Sequence, residues 1–560
     1  MNVAEYIASF LIEKEVRHVF GFQGGAIVKI VDAIVETGKI EYVQNFHEQA
    51  SAFCADAYSR VTRNLGVALA TSGPGATNLI TGIANAQLDS IPTLFITGQE
   101  YSSRLRKRDG VRSNGFQDLD IVSVVSPITK YAATITSGQM IAYELEKALH
   151  LAKSGRPGAV LLDIPIDVQF ESLDAETLEH YLPPIETFGR TSPNDVSGLL
   201  ALLQVSRRPV ILGGGGVLLA NAREAFKRFA GRSRIPVALT LNGLDAFDES
   251  VGFSGLYGNT HTNLAVYNAD LLIVLGARLG QHQVGKSKAA YTKAKIVHVD
   301  IDALELERCM SEELSIQADL GIFLCDVNNA LEQVALPLYD EWRKTIATWS
   351  ERYSTESGKQ YDGVSPIDIV REVQNYIDHD TVVTCDVGQN QMWVAQAIRP
   401  HGEQRLLNSS GLGSMGYALP AAIAAKICRP RSTVVAFMGD GGFQINIQEL
   451  QLIALKGLDI KLVVFNNGTL GLIKSTQDRY FDRRNYGSAA PYFACVDLKA
   501  ISRAYRLKYY LIAEPSDMSL LRQAIGETQA CLIEVKVDPD FPLASRNDMT
   551  TILEKERIDD

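Results

Sequence analysis

The chain has 560 residues and a formal net charge of −11, with 46% hydrophobic and 21% charged residues. These globular values exclude a disordered or collagen-like chain, and the acidity argues against a nucleic-acid or anionic-membrane partner. No apolar run approaches the roughly 20 residues that span a bilayer, and the first residues lack the basic start of a signal peptide, so we expect a cytoplasmic protein. Seven scattered cysteines without a CxxC pair predict a reducing compartment and buried, unpaired thiols.

Short apolar runs alternate with helical patterns along the whole chain. They are HVFGF, GVALATSG, TLFITGQ and AVLLDIP in the first third, RPVILGGGG, LLIVLGARLG and KIVHVDID in the middle, and TVVTCDVG, TVVAFMGDGG and IKLVVFNNG in the last third. Continuous apolar strands separated by helices predict parallel sheets covered on both faces. Polar or charged stretches near 183–193 and 339–363 indicate three doubly wound α/β domains, near 1–180, 190–335 and 360–545.

The most specific motif joins two strand ends in the last third. One strand ends in Gly439-Asp440-Gly441, a predicted helix follows, and the next strand ends in Asn466-Asn467, so that 29 residues from Gly439 to Asn467 form one βαβ unit. Carboxylate and amide oxygens suit a hard divalent cation, and glycines let the backbone approach a diphosphate at a helix N-terminus. Either half alone would be an ordinary turn, but the pair predicts a diphosphate and metal site.

This pair of motifs resembles the thiamine-diphosphate (ThDP) motif, and other stretches narrow the resemblance to the acetohydroxyacid (acetolactate) synthases. Those stretches are NFHEQASAFCADAYSR, ATSGPGATNLITGIANAQLDSIPTLFITGQ, SGRPGAVLLDIP, DVGQNQMW and GLGSMGYALPAAIAA. The resemblance implies a pyrimidine-binding, a middle and a diphosphate-binding domain in chain order. It also implies Mg²⁺ ligands at Asp440, Asn467 and the carbonyl of Thr469.

Glu48 lies at the start of a helix of small residues, where a carboxylate is ordinarily stabilised by the helix dipole. The resemblance implies instead that Glu48, in an apolar place, meets the aminopyrimidine of ThDP bound by a partner subunit and promotes loss of the thiazolium C2 proton. It therefore implies a homodimer or a dimer of dimers with active sites across the interface. The other positions implied at the reacting centre are Gly24, Gly25 and Ala26 over the thiazolium, and Phe116 and Gln117 beside the substrate.

The resemblance implies two cofactor sites. Residues implied to contact ThDP are Val387, Gly388, Gln389 and Asn390 at the diphosphate, Gly413, Ser414 and Met415 at the aminopyrimidine, and Gly439, Gly441, Leu472 and Ile473. Residues implied to hold FAD, which has no redox role in carboligation, are Arg156, Gly213, Gly214, Gly215, Thr240, Leu241, Gly276, Ala277, Arg278, Asp300, Ile301, Asp326 and Val327. The run from Leu279 to His282 lacks the acid and base usual in the family, so a relative that has lost flavin is the alternative.

The acceptor side departs from the synthases in three places. Thr476 stands where the family has Trp, and Ile166 stands where a Lys usually follows the proline. The loop before Phe116 is long and basic, with Arg104, Arg106, Lys107, Arg108 and Arg112. Arginine forks suit a diphosphate, although such a charge run is ordinarily a solvated surface. Together these features favour a bulky anionic ketone, such as the nucleotide-diphosphate keto-sugars used by the yersiniose-type carboligases that this sequence resembles.

The resulting hypothesis is a ThDP- and Mg²⁺-dependent carboligase. It would decarboxylate pyruvate and transfer the hydroxyethyl (activated acetaldehyde) unit to that ketone in branched-sugar biosynthesis. The alternative is an acetolactate synthase that joins two pyruvates, in a branched-chain amino acid or acetoin route. The third and less favoured hypothesis is a ThDP pyruvate oxidase or decarboxylase. A binding protein that kept only the fold would be expected to lack Glu48, Asp440 or Asn467, and all three are present.

Overall fold

The computed structural model describes residues 1–105, 112–184, 191–285, 291–308, 313–353, 361–543 and 549–558. Within these ranges the strands form three six-stranded sheets, and all of their strand pairs are parallel. Their central strands are buried apolar runs, because helices cover both faces of such sheets. The predicted fold class, three α/β units in series, is confirmed.

The first sheet carries the segment that contains Glu48. Its strands are β1 (His18–Phe22), β2 (Glu41–Gln44), β3 (Gly66–Ala70), β4 (Thr93–Gln99), β5 (Tyr131–Thr134) and β6 (Ala159–Pro165). Its helices are α1 (Val3–Glu13), α2 (Val28–Glu36), α3 (Glu48–Thr62), α4 (Pro74–Asn78), α5 (Ile80–Leu88), α6 (Ser102–Leu105), α7 (Ile121–Val125), α8 (Ile141–Lys153) and α9 (Ile166–Gln169). The strand order β2-β1-β3-β4-β6-β5 runs outward in opposite directions from β1 and β3, which opens a crevice at their carboxyl ends.

The middle sheet has a six-strand order typical of dinucleotide-binding folds. Its strands are β7 (Pro209–Gly213), β8 (Val237–Leu239), β9 (Gly252–Phe253), β10 (Leu271–Leu275), β11 (Lys295–Asp300) and β12 (Leu314–Gln317). Its helices are α10 (Pro193–Val205), α11 (Gly216–Leu219), α12 (Arg223–Ser233), α13 (Thr260–Tyr267), α14 (Gln281–Val284), α15 (Ala303–Arg308), α16 (Leu320–Ala330) and α17 (Asp340–Arg352). The order β12-β11-β10-β7-β8-β9 places the crevice between β7 and β10.

The third sheet repeats the strand order of the first, β14-β13-β15-β16-β18-β17. Its strands are β13 (Val382–Cys385), β14 (Arg405–Asn408), β15 (Val434–Gly439), β16 (Lys461–Asn466), β17 (Lys508–Ile512) and β18 (Cys531–Lys536). Its helices are α18 (Pro366–Gln374), α19 (Gln389–Ala397), α20 (Ala418–Cys428), α21 (Asp440–Ile445), α22 (Leu450–Lys456), α23 (Gly471–Tyr480), α24 (Leu498–Ala504) and α25 (Ser519–Ile525), and α26 (Met549–Lys555) follows. The crevice of this sheet therefore lies between β13 and β15.

The helix predicted after Gly441 is interrupted. α21 ends at Ile445, and a short 3₁₀ helix, Ile447–Glu449, precedes α22. The break falls at Asn446, whose side-chain amide donates to the Gly416 carbonyl at 2.8 Å and to the Gln49 side chain at 3.1 Å. Asparagine favours such local irregularities because its amide competes for backbone partners.

The first and third units pack through α3 and α20, whose facing positions are rich in alanine. Small side chains let two helix backbones approach closely. A buried polar cluster spans the junction: Arg60 binds Asp56 at 2.7 Å and Asp89 at 3.0 Å, and the Tyr417 hydroxyl donates to Asp56 at 2.7 Å. Because removal of one partner would leave a buried charge unpaired, this cluster holds the two units in one arrangement.

Two expectations from composition have different outcomes. Among the described helices, none is long and apolar enough to cross a membrane. The prediction that all cysteines are buried is wrong: Cys325 is exposed on α16, while Cys428 and Cys495 are only half-buried. Cys325 and Cys428 lie on helices and Cys495 lies in the segment between α23 and α24, so position in the fold rather than residue type decides their exposure. Cys309 lies outside the described residues.

Candidate functional site

Two loops meet at the crevice of the first sheet. The turn after β1 contains Gly24 and Ala26, and the turn after β3 contains Thr71. The Ala26 amide donates to the Thr71 hydroxyl at 3.1 Å, and a Cβ on Gly24 would lie only 2.5 Å from the Thr71 Cβ. A Cβ on Gly25 would meet no described atom within 4 Å. Glycine at 24 is therefore needed for packing, whereas Gly25 presents bare backbone to open space.

Glu48 is held at the same crevice. It is the first residue of α3 and only 6% exposed. One carboxylate oxygen accepts a hydrogen bond from the Asn78 side chain at 2.8 Å, and the other lies 3.2 Å from where a Cβ on Gly75 would stand. The preceding His47 caps the helix, its Nδ1 accepting from the Gln49 amide at 3.1 Å. These contacts give the carboxylate one defined direction.

The third unit also holds the segment that delivers Glu48. Fully buried Glu449 accepts hydrogen bonds from the Asn45 side chain and the Phe46 amide, both at 2.9 Å. Burial raises the pKa of Glu449 to about 7. The sequence did not single out Glu449, because more than 400 residues separate it from its partners. The glutamate in the stretch QEL after the GDG motif was the only available signal.

Replacing Glu449 with Gln should flatten the pH dependence of stability. Because the folded-state pKa of about 7 lies above the ordinary value of 4.5, this group stabilises the fold fully below pH 4.5, and that contribution is lost as the pH rises to 7. Between these pH values the free energy of unfolding of the wild type should fall more steeply than that of the variant, by up to about 1.4 kcal/mol per pH unit. Thermal unfolding of both proteins from pH 5 to 7.5 checks this, and parallel profiles would contradict it.

Gln117 lies beside the Gly73 turn of the same crevice. Both residues adopt left-handed backbone conformations, with φ of 61° at Gln117 and 58° at Gly73. A Cβ on Gly73 would lie 2.8 Å from the Gln117 Cβ, so the close approach requires glycine. Phe116 is 83% exposed. The structure thus brings Gln117, Glu48 and the Gly24 turn to one edge of the first unit.

The metal motif forms a second cluster at the crevice of the third sheet. β15 and β16 are adjacent, and the Asp440 carboxylate accepts from the Gly468 amide at 2.8 Å and the Gly441 amide at 2.9 Å. The Asn467 side-chain oxygen accepts from the Thr469 amide at 3.1 Å. The Thr469 hydroxyl is buried and has no hydrogen-bond partner among the described residues. Burial raises the pKa of Asp440 to about 7. The carboxylate and amide oxygens of this cluster are the ligands that a hard cation prefers.

The proposed diphosphate loop follows β13, and Asp386 organises it. This residue, which the sequence reasoning missed, is fully buried and accepts from the Val387 amide at 2.9 Å and from the Gly416 and Ala418 amides at 3.0 Å. Burial raises its pKa to about 6. Its backbone carbonyl accepts from the Asn390 side chain at 2.8 Å. One carboxylate therefore joins the loop after β13 to the loop after β14.

Glycines shape the rest of this crevice. Gly388 has φ of 142° and Gly413 has φ of 70°. A Cβ on Gly471 would stand 1.8 Å from the Gln389 side chain, whose oxygen accepts a hydrogen bond from the Asn467 side-chain nitrogen at 3.1 Å. Half-buried Met415 lies against Gly441, with its Cε 3.2 Å from the position of a Cβ there. Residues 387–390, 413–415, 439–441 and 467–471 thus surround one opening.

α23 carries the positions predicted nearest the acceptor. Half-buried Thr476 donates its hydroxyl to the Leu472 carbonyl one turn earlier, at 3.0 Å. Ile473 is 54% exposed. The hydroxyl of Thr476 is thus held against its own helix.

A cavity of about 690 Å³ lies at the crevice of the middle sheet, a size typical of cofactor sites. Its lining includes most of the predicted flavin positions, namely Arg156, Gly215, Thr240, Leu241, Gly276, Ala277, Arg278, Asp300 and Ile301. Gly213 and Gly214 lie behind the wall instead: a Cβ on Gly214 would stand 2.2 Å from the Gly276 carbonyl oxygen. They let the turns after β7 and β10 pack closely.

Two flavin assignments need correction. Asp326 is exposed and Val327 is buried in the core, and neither lines the cavity because both lie about two turns into α16. The acidic residue at the strand end is Asp319, which lines the cavity and caps α16. The resemblance had therefore placed this pair too far along α16 to reach the cavity.

The two predicted arginines of this cavity differ in their contacts and exposure. Arg156 is bound by Asp302 at 3.0 Å and Glu305 at 2.9 Å. Arg278 is exposed at the cavity wall. Arg278 is therefore the better placed cation for an anionic ligand, while Arg156 connects the first unit to the middle one.

The basic loop is described only in part. Arg104 lies 3.3 Å from the Glu100 carboxylate, and Arg112 is exposed. Arg106, Lys107 and Arg108 lie outside the described residues. Neither of these two arginines lines the cavity at the crevice of the middle sheet.

Comparison with known proteins places this chain. Three family models match it, one for each sheet: the "Thiamine pyrophosphate enzyme" N-terminal TPP binding domain over residues 1–124, the central domain over 196–327 and the C-terminal TPP binding domain over 386–535. The fold and the two crevices with their spaced residues thus define a ThDP-dependent enzyme.

The relatives narrow the class. The acetolactate synthase large subunit of Parasynechococcus marenigrum is 36% identical over 87% of this chain and 79% of its own length. The acetolactate synthase large subunit of Lactococcus lactis is 33% identical over 95% of this chain and 92% of its own length. The acetolactate synthase isozyme 2 large subunit of Escherichia coli is 36% identical over 86% of both chains. The chain belongs to the acetolactate synthase family of ThDP enzymes.

Proposed function

We propose that this enzyme decarboxylates pyruvate and joins the two-carbon unit to a second pyruvate, forming acetolactate. The observation that carries the proposal is the similarity to acetolactate synthase large subunits across nearly the whole chain. The grouping of Glu48 with Gln117 and of Asp440 with Asn467 at two sheet crevices supports it. ThDP, when bound, supplies the carbanion-stabilising chemistry that decarboxylation of a 2-keto acid requires.

We propose roles for the residues of this chain accordingly. Asp440, Asn467 and the Thr469 carbonyl would hold Mg²⁺, since they offer hard oxygen ligands next to the diphosphate loop. Glu48 would hold and pass a proton at the pyrimidine, and Gln117 would hydrogen-bond a reacting oxygen of the substrate.

The proposed assembly is a homodimer or a dimer of dimers. Apolar side chains near both crevices are exposed, among them Phe116, Ile473 and Phe481 at 83%, 54% and 50%. Burial of such groups favours association. Each active site would combine the Glu48 edge of one subunit with the metal cluster of its partner.

Product analysis tests the proposed reaction. Purified enzyme with ThDP, Mg²⁺ and pyruvate alone should form acetolactate, identified by mass spectrometry. Free acetaldehyde as the main product would instead identify a decarboxylase, and consumption of oxygen would identify an oxidase.

We also propose that the middle cavity holds FAD. The purified protein should then carry releasable flavin with its visible absorbance. Arg278→Ala should weaken flavin retention about tenfold, because it removes a charge-assisted contact. Arg208→Ala is the matched control, since Arg208 directly precedes β7 at the opposite end of the sheet. Wild-type protein without flavin would contradict the proposal.

A bulky anionic ketone, such as a nucleotide-diphosphate keto-sugar, is the second candidate acceptor. The observation that favours it is Thr476, whose small side chain turns back onto α23; Ile166 in place of a cation and the basic loop add to it. Mass analysis of products from pyruvate with a panel of ketones, including these sugars, decides between the acceptors. The absence of nucleotide-sugar binding in calorimetry, with ordinary consumption of pyruvate or 2-ketobutyrate as acceptor, would exclude the sugar.

A further inference from the structure

Both described ends of the loop that carries Gln117 are tied to the same strand end, that of β6. The described parts of this Gln117 loop are residues 100–105 and 112–120, between β4 and α7. At its start, the Ser102 amide and hydroxyl donate to Asp167 at 2.9 and 2.6 Å. At its end, the Leu119 carbonyl accepts from the Gln99 side chain at 2.7 Å, and the same Gln99 nitrogen donates to Asp163 at 2.9 Å. Asp163 and Asp167 are thus two anchors four residues apart.

The Asp163 anchor allows only one arrangement of donors and acceptors at the Gln99 side chain. The Gln99 side-chain oxygen accepts from the Glu100 amide at 2.9 Å, so a flipped amide would lose this bond and both of the bonds that its nitrogen makes. Asp163 is only 2% exposed, and its other oxygen accepts from the Thr97 hydroxyl at 2.7 Å. Breaking a buried pair leaves a polar group unsatisfied, which makes this contact rigid.

Gln117 needs such support. Its left-handed φ of 61° is a backbone conformation that residues other than glycine rarely adopt. Its close contact with Gly73 allows little adjustment, and the anchored Leu119 carbonyl is two residues away. A shift of this carbonyl would move the Gln117 side chain relative to the rest of the crevice.

We propose that Asp163 and Asp167 are positioning residues that set the place of Gln117, through Gln99 and Ser102, and so determine how the acceptor ketone is captured. The inference rests on the proposed carboligase function and extends it to residues on β6 and α9 that do not themselves touch substrate. Proton exchange at the cofactor, which depends on Glu48, should not require these anchors.

The test compares three variants. Asp163→Ala removes the acceptor of the Gln99 contact, and Ser102→Ala weakens the other anchor at a half-buried position. Thr134→Val is the matched control, because the Thr134 hydroxyl reaches Asp163 only at 3.5 Å and does not contact the loop. Amide hydrogen exchange of the peptide 112–121 should speed up in both anchor variants and not in Thr134→Val.

The kinetic outcome separates positioning from general damage. In both anchor variants, the KM for 2-ketobutyrate at fixed pyruvate and the ratio of acetaldehyde to ligated product should rise about tenfold. Cofactor C2 proton exchange should stay within about twofold of wild type, because it depends on Glu48 and not on the position of Gln117. Unchanged exchange in the peptide 112–121 and an unchanged product ratio in either folded variant would overturn the proposal, as would a parallel loss of C2 exchange. If wild-type enzyme ligated no ketone, the proposed function would fail, while the peptide exchange would still report on the anchors.

Discussion

Glu48→Gln should abolish exchange of the thiazolium C2 proton in bound ThDP, and with it pyruvate turnover. The loss should be at least about 100-fold, the usual contribution of a positioned acid or base. The reason is that an amide keeps the size of the side chain and its contact with Asn78, yet cannot take or give the proton at the pyrimidine. Binding of Mg²⁺ and ThDP should remain close to wild type, because the metal cluster lies on the third unit.

Exchange of the C2 proton into deuterated water, followed by NMR after acid quench, measures this directly. Glu144→Gln is the matched control: Glu144 is also buried in the first unit, but its carboxylate accepts a hydrogen bond from the Tyr131 hydroxyl away from the crevice. Wild-type exchange in Glu48→Gln would exclude a proton role for Glu48. A loss in the Glu144 control would show that the assay reports on stability instead.

Asn467→Ala should lower the affinity for Mg²⁺ and ThDP about 100-fold or more, whereas Asn466→Ala should not. Loss of a group that merely supports a metal ligand costs about 10- to 100-fold, and a ligand should cost at least as much. The two neighbours differ in their contacts: Asn467 joins Gln389 and the Thr469 amide beside Asp440, while Asn466 donates to Glu534 at 2.7 Å on β18.

Calorimetric titration with ThDP at fixed Mg²⁺ measures the cofactor affinity of each of the two variants. Thermal unfolding without ligands checks that both variants fold. Equal loss in the two variants would mean that the strand end, rather than the Asn467 side chain, determines cofactor affinity. Unchanged affinity in Asn467→Ala would remove this residue from the proposed metal site.

Much of this molecule could be predicted from sequence because its determinants are local. Apolar runs punctuated by glycine predicted the parallel sheets, and the spacing from Gly439 to Asn467 predicted two neighbouring strand ends, since one βαβ unit places them side by side. Helix starts such as Glu48 also follow from nearby residues. Patterns over a few turns of chain therefore indicated the fold class and the positions to inspect.

The contacts that hold those positions were decided only by the tertiary structure. Glu449 supports the Glu48 segment from more than 400 residues away, Asp386 joins two loops, and Asp163 ties down the end of the Gln117 loop. The same holds for Asp319, which replaces Asp326 at the middle cavity. The sequence by itself determined which chemical groups are available and on which strand ends they lie, because those are local properties. Only packing between distant elements decided which of them meet, because burial and hydrogen-bond pairing depend on the whole fold.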